Sequence, residues 1–200
     1  MLLSFIGAPC SGKTTVAALV FASLKEAGQA VEFVPEKARE YIADYRVHHD
    51  LFPPKNVTLT DLDQHLIMTR QLESEENFCD ACDSSIIVAD SSPLNTLLYM
   101  TPEMRALASV QDLIRRHLAL NPIVFYCPPL PSSAWPYDPG RIHDEAASKA
   151  LDYSIKTLIF PLLPSSPEIL FNHTARLRSN QVMNTVWTKL SEAARDHITP

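Results

Sequence analysis

Leu2-Leu3-Ser4-Phe5-Ile6-Gly7-Ala8-Pro9-Cys10-Ser11-Gly12-Lys13-Thr14-Thr15 is the stretch on which the reading of this chain turns. A short, continuously apolar run gives way to Gly7-Ala8-Pro9-Cys10-Ser11-Gly12-Lys13-Thr14, which fits G-x-x-x-x-G-K-[ST], and a helical pattern begins at Lys13. Strand, glycine-bearing loop and helix are the context in which this motif carries chemistry. Successive backbone N–H groups of such a loop, together with the amino end of the helix, surround a phosphate with positive partial charge. Gly7 and Gly12 let the backbone approach closely, and Ala8, Pro9, Cys10, Ser11 and Thr15 complete the cradle. Lys13 brings a point charge to the β- and γ-phosphates, and the Thr14 hydroxyl is placed to ligate Mg²⁺.

Working outward, further apolar runs occur at Val31 to Val34, Ile86 to Ala89, Ile123 to Tyr126 and Ile169 to Phe171. Their continuous apolarity marks strands buried on both faces. Helical patterns lie between and after them: Lys13 to Ala27, Glu36 to Tyr45, Thr60 to Cys79, Pro102 to Ala119, Ile142 to Phe160 and Asn180 to Ala194. Strands alternating with helices predict an α/β fold, with a parallel sheet covered by helices on both sides. In such sheets ligands bind beyond the carboxyl ends of the strands.

Three of those strand ends carry chemistry. Glu36 follows the second run, where a carboxylate would accept the proton of an attacking hydroxyl, or would simply complement a helix dipole with Glu40. Arg39, three residues on, shares its helical face and suits a substrate phosphate or carbonyl, unless it is a solvated surface arginine. Asp90 ends the third run, and is read either as a second anchor for Mg²⁺ or as the cap of the next helix; in the first case Ser91 or Ser92 would be the cap. The fourth run leads into a proline-rich flap, about residues 128–145, that ends in Gly140-Arg141. Arg141 would swing onto a transferring phosphoryl group and help exclude water, or would pair with a surface carboxylate. Trp135 and Tyr137 would stack on a base or pack the flap. On the helix from Thr60, Gln64, Arg70 and Gln71 would line a pocket for a base or sugar, or form a solvated polar face.

Composition narrows the setting. The 200 residues are 46% hydrophobic and 20% charged, as expected of one globular domain spanning 1–200. The formal net charge of −6 provides no global positive field for nucleic acid or an anionic membrane, so any polyanion contact would be local. Arg115, Arg116, Arg176 and Arg178 are candidates for such a patch. Cys10, Cys79, Cys82 and Cys127 are too few and scattered for a disulfide framework, and no second pair or histidine completes a zinc set around Cys79 and Cys82. His48, His49, His65 and His117 lack ligand spacing and are expected in core or surface roles. No apolar run approaches a membrane span and the first residues lack the basic region of a signal peptide, so the expectation is a soluble, cytoplasmic protein.

The loop, the Pro35-Glu36-Lys37-Ala38-Arg39-Glu40-Tyr41 stretch, the Ile86-to-Asp90 strand and the Gly140-Arg141 flap stand in an order that resembles the small P-loop kinases of the nucleoside and nucleotide kinase group. Within it the layout is similar to the ribosylnicotinamide-kinase-like AAA ATPase branch and to bacteriophage kinases that phosphorylate 5-hydroxymethyluracil in DNA. The resemblance implies a three-layer α/β/α fold with strand order 2-3-1-4-5, ATP and Mg²⁺ as cofactors and Arg141 as a lid arginine. It also implies the host cytoplasm as the location if the chain is phage-encoded. It leaves open monomer or homodimer.

Two departures stand out: Cys10 replaces the group's usual small or glycine residue, which would make ATP binding thiol-sensitive, and the proline-rich flap is unusually stiff. Asp90-Ser91-Ser92 also replaces the Asp-Arg-Ser signature of deoxynucleoside kinases, which argues against simple nucleoside kinase activity. The expected activity is ATP-dependent phosphorylation of a hydroxyl on a nucleoside-like acceptor, free or within DNA. Lys13, Glu36, Asp90 and Arg141 would be its catalytic residues, and Glu36, Arg39, Gln64 and Arg70 its acceptor contacts. A nucleotide-dependent switch that binds a protein partner and phosphorylates nothing is the rival class.

Overall fold

A computed structural model describes residues 1–49, 58–81, 85–130, 145–171 and 174–196. Five strands, β1 (Leu2–Ile6), β2 (Val31–Val34), β3 (Ile86–Ala89), β4 (Ile123–Tyr126) and β5 (Glu168–Ile169), form one sheet in the order β2-β3-β1-β4-β5. Every pairing is parallel, and Ser4 of β1 lies between Ala89 and Val124 of its two neighbours. The apolar runs are buried from both sides because the pleat sends alternate residues to two separate cores. Leu3, Phe5, Val88 and Phe125 pack against α1 (Lys13–Glu26) and α7 (Ala175–Asp196), with Val16, Val20, Val182 and Val186 as the helical partners. Ile6, Val124 and Tyr126 face the other way, against Met68 and Leu72 of α3 (Asp61–Ala81) and Val110 and Ile114 of α5 (Ala108–Ala119). The architecture is the three-layer α/β/α P-loop NTPase fold, in the strand order expected.

The remaining elements bear on the site. α2 (Lys37–His49) follows β2 directly, and α6 (Glu145–Ser154) continues into a π-helical turn, Ile155–Ile159. The single helix expected over Pro102 to Ala119 is two: α4 (Pro102–Arg105), capped by the Thr101 hydroxyl on the Met104 amide, and α5. Between them Leu107 is extended, and the Gln111 side chain takes the Arg105 carbonyl that an unbroken helix would have used itself. Pro93–Tyr99, apolar and without helical length, winds as a 3₁₀ helix because Ser92 caps it and Pro93 opens it. α7 starts five residues before Asn180, which draws Arg178 into its first turns. The last strand covers Glu168–Ile169 where Ile169 to Phe171 was expected; Leu170 still donates to the Tyr126 carbonyl, and Phe171 is exposed.

Candidate functional site

At the carboxyl edge of the sheet, β1 runs out into the loop of residues 7–12. A Cβ on Gly7 would stand 2.6 Å from Ser11 Oγ and 2.7 Å from the Cys127 carbonyl, so only glycine fits there. Cys10 (φ 66°) and Gly12 (φ 81°) both adopt the left-handed conformation, and these two reversals turn the chain back into α1. The loop carbonyls are held from outside it. Lys13 Nζ donates to Gly7 and Ala8 (2.8 and 3.3 Å), Ser148 Oγ of α6 to Pro9 (2.7 Å), and Arg178 Nη1 of α7 to Ser11 (2.6 Å). These bonds occupy the carbonyls of Gly7, Ala8, Pro9 and Ser11, and within the loop the Ser11 amide donates to the Ala8 carbonyl at 3.3 Å. α1 has no side-chain cap and no acidic residue in its first turn, so its dipole is not neutralised from within the helix.

The neighbouring strand ends bring two carboxylates to this loop. Asp90 follows β3 and is almost fully buried, its amide donating to the Val34 carbonyl of β2. The Thr14 hydroxyl lies near enough to favour its carboxylate, while Oδ1 is buried with no hydrogen-bond partner among the described residues. Burial, and next the nearby Glu36 carboxylate, push the Asp90 carboxyl up to about 6, against the opposing pull of Thr14, Lys13 and Arg39. Glu36 sits between β2 and α2 with Arg39 Nη2 at 3.5 Å from its Oε2. Tyr99, at the end of the 3₁₀ helix, stands near Glu36 and Cys10, with 39% of its surface still exposed. Burial, then Glu36 and Cys10, hold its hydroxyl well above the usual phenol range.

Mg²⁺ takes hard oxygen ligands and shares them between protein and substrate phosphates. Thr14 and Asp90 fit that requirement, because a hydroxyl lies near a buried carboxylate that keeps one oxygen unpartnered among the described residues. Among the described residues no group of three or more His, Cys, Asp or Glu could hold a metal ion.

Lys13, Thr14, Glu36, Arg39 and Asp90 are thus brought together. Arg70 is not among them. It lies over the Tyr41 ring at 5.5 Å, and Tyr41 in turn donates to Asp63, forming a separate cluster between α2 and α3. Gln64 is buried on α3, and Gln71 accepts the Lys37 amide at 3.0 Å through Oε1, which makes it a partner of the α2 start. The proposed arginine patch does not form. Arg178 is only 1% exposed and is spent on the Ser11 and Pro128 carbonyls, Arg116 pairs with Glu76, and Arg115 with Asp112. Moreover α5 and α7 cover opposite faces of the sheet. Arg141, Trp135, Tyr137, Gly140 and Cys82 lie outside the described residues. Sequence reasoning missed Tyr99 and the role of Arg178; for Arg178 the one signal was its position just beyond the last strand.

The model of the AAA domain family matches residues 2–160, and the chain belongs to that family. No curated protein matches it. Among solved structures it is similar to the Mycobacterium tuberculosis APS kinase in complex with AMPPNP and APS, at 14% identity over 92% of this chain and 96% of that one, with a TM-score of 0.47. A cysteine-to-alanine mutant of the same enzyme gives 18% identity, 80% and 96% coverage and a TM-score of 0.38. APE1195 gives 12%, 94% and 95%, and 0.48. These likenesses are too distant to carry a site or a substrate across. No helix among the described residues is long and apolar enough to cross a membrane.

Proposed function

We propose that this protein is a kinase that passes the γ-phosphate of ATP to a hydroxyl of a nucleoside-like acceptor. The observation that carries the reading is the meeting of two carboxylates at the phosphate loop: Asp90, beside Thr14 and Lys13, and Glu36, close enough to raise the Asp90 carboxyl. In this reading the loop amides and Lys13 bind the triphosphate, and Thr14 with Asp90 would hold Mg²⁺. When bound, the cation neutralises charge developing on the phosphoryl oxygens. Glu36 orients the acceptor hydroxyl and receives its proton, and Arg39, beside Glu36, contacts the acceptor. Tyr99 offers a ring against which a planar acceptor packs. Arg141 in the flap steadies the transferring group and helps exclude water.

Loss of the arginine patch favours a free nucleoside, nucleotide or ribosylnicotinamide-like acceptor over a base within DNA such as 5-hydroxymethyluracil, which would also need a backbone footprint. The AAA-domain match favours a second reading, an ATPase switch with a protein partner. Glu36→Gln separates the two. A kinase loses phosphoryl transfer by about 100-fold or more while keeping ATP affinity. A switch, having no acceptor to deprotonate, keeps its ATP turnover.

A further inference from the structure

Behind the site lies a buried polar chain that the proposed chemistry does not use. Glu75 of α3 and His117 of α5 are both fully buried, and His117 Nδ1 donates to Glu75 Oε2 at 2.8 Å. That bond fixes the tautomer, leaving Nε2 to accept from the Ser92 hydroxyl at 3.2 Å. Ser92 stands two residues after Asp90. Its hydroxyl accepts the Leu94 amide at 3.3 Å, and its own amide donates to the Phe5 carbonyl of β1 at 2.9 Å.

Toward the other carboxylate, Gln71 precedes Glu75 by one helical turn and accepts the amide of Lys37, the residue after Glu36, at 3.0 Å. Burial pushes the Glu75 carboxyl up, against the opposing pull of His117 and then of Gln71, one turn away on α3; Gln71 Nε2 and Glu75 Oε1 do not reach full hydrogen-bond geometry. A serine, a histidine and a glutamate in series have the look of a hydrolase triad. No substrate reaches them, because all three are 2% exposed or less.

We propose that Gln71, Glu75, His117 and Ser92 form a brace running from the Glu36 turn to the Asp90 loop. It sets the spacing of the two carboxylates, which makes these four positioning residues for the metal and phosphate site. The proposal rests on the reading of that site as one for a magnesium nucleotide. The geometry carries it: one end of the chain holds the backbone next to Glu36 and the other the backbone next to Asp90, and every group between them is buried. Partners that orient a metal ligand from behind typically matter 10- to about 100-fold in metal affinity.

The test is a Mg²⁺ titration of the binding of a fluorescent ADP analogue to the full chain, with thermal unfolding followed in parallel. Wild type is compared with Glu75→Leu, Glu75→Gln, His117→Leu and Ser92→Ala. The brace predicts that metal-free ADP affinity stays within about threefold. The Mg²⁺ midpoint rises about 10- to 100-fold in the two leucine variants, and Glu75→Gln, which still accepts from His117, recovers most of the loss. Should the leucine variants fail to fold, Ser92→Ala removes a single hydroxyl and still raises the midpoint several-fold. A folded Glu75→Leu, His117→Leu or Ser92→Ala protein with the wild-type Mg²⁺ midpoint overturns the proposal. Wild-type protein that shows no Mg²⁺-dependent ADP binding overturns the site reading and the brace with it, and that failure is distinct because it needs no mutation.

Discussion

The guanidinium of Arg178, near the start of α7, donates to the carbonyl of Ser11 inside the phosphate loop at 2.6 Å. Its other arm reaches the Pro128 carbonyl at 3.0 Å, where β4 leads toward the flap. One buried side chain thus ties the last helix to the loop and to the base of the flap. Arg178→Met strands both carbonyls, and the expected cost is about 2 kcal/mol or more of stability with about a tenfold loss of nucleotide affinity. Arg178→Lys, able to reach one carbonyl, falls between. Chemical denaturation and nucleotide titration of the three proteins check the order.

The loop backbone makes opposite demands at two positions. Gly7→Ala forces a Cβ to 2.6 Å from Ser11 Oγ and 2.7 Å from a backbone carbonyl, and the loop must shift. The expected cost is roughly 1–3 kcal/mol, with loss of nucleotide binding. Cys10, by contrast, holds φ 66° with a side chain present, so Cys10→Gly relieves roughly 1 kcal/mol of strain against a smaller entropic loss and is neutral or mildly stabilising. Cys10→Val adds β-branching at that angle and destabilises. Thermal melts of the three variants would contradict this account if Cys10→Val matched wild type.

Asp90→Asn keeps the shape of the side chain but removes its charge. Nucleotide binding should then lose its Mg²⁺ dependence while the metal-free affinity stays, because Lys13 and the loop amides are untouched. Tyr99→Ala should raise the acceptor KM about tenfold with little change in the KM for ATP. Steady-state kinetics with each substrate varied in turn distinguishes these effects.

Burial pushes the Cys127 thiol up to about 11, against the pull of Lys13 and Arg178. A raised thiol pKa means less thiolate at any working pH, so Cys127 in the folded protein should resist alkylation at pH 8, whereas half-buried Cys10 takes the label. Peptide mass mapping after a short iodoacetamide pulse reads both, and bound ATP should protect Cys10.

The parallel sheet was legible because the strands are short apolar runs sealed on both faces, a pattern that survives any detail of packing, whereas its strand order came only from the resemblance to the P-loop kinases. The phosphate loop was legible because Gly7, Gly12 and Lys13 are dictated by local backbone and charge. Asp90 and Glu36 could be named from their places after strands, and their mutual influence emerged only when β2 and β3 were set side by side. Tyr99 was hidden because a 3₁₀ helix has no long hydrophobic period. Arg178 was misplaced because charge alone does not tell an exposed arginine from one buried on carbonyls. The buried pair of Glu75 and His117 joins residues far apart in sequence, with no spacing to betray it.

The central claim is tested most directly by transfer from γ-labelled ATP. The panel holds free nucleosides, mononucleotides, nicotinamide riboside, plain DNA and DNA containing 5-hydroxymethyluracil, with Lys13→Ala as the control. The account predicts label on a hydroxyl of a nucleoside-like acceptor, lost in the Lys13→Ala protein. Release of free phosphate with no labelled acceptor would contradict it and leave the ATPase switch.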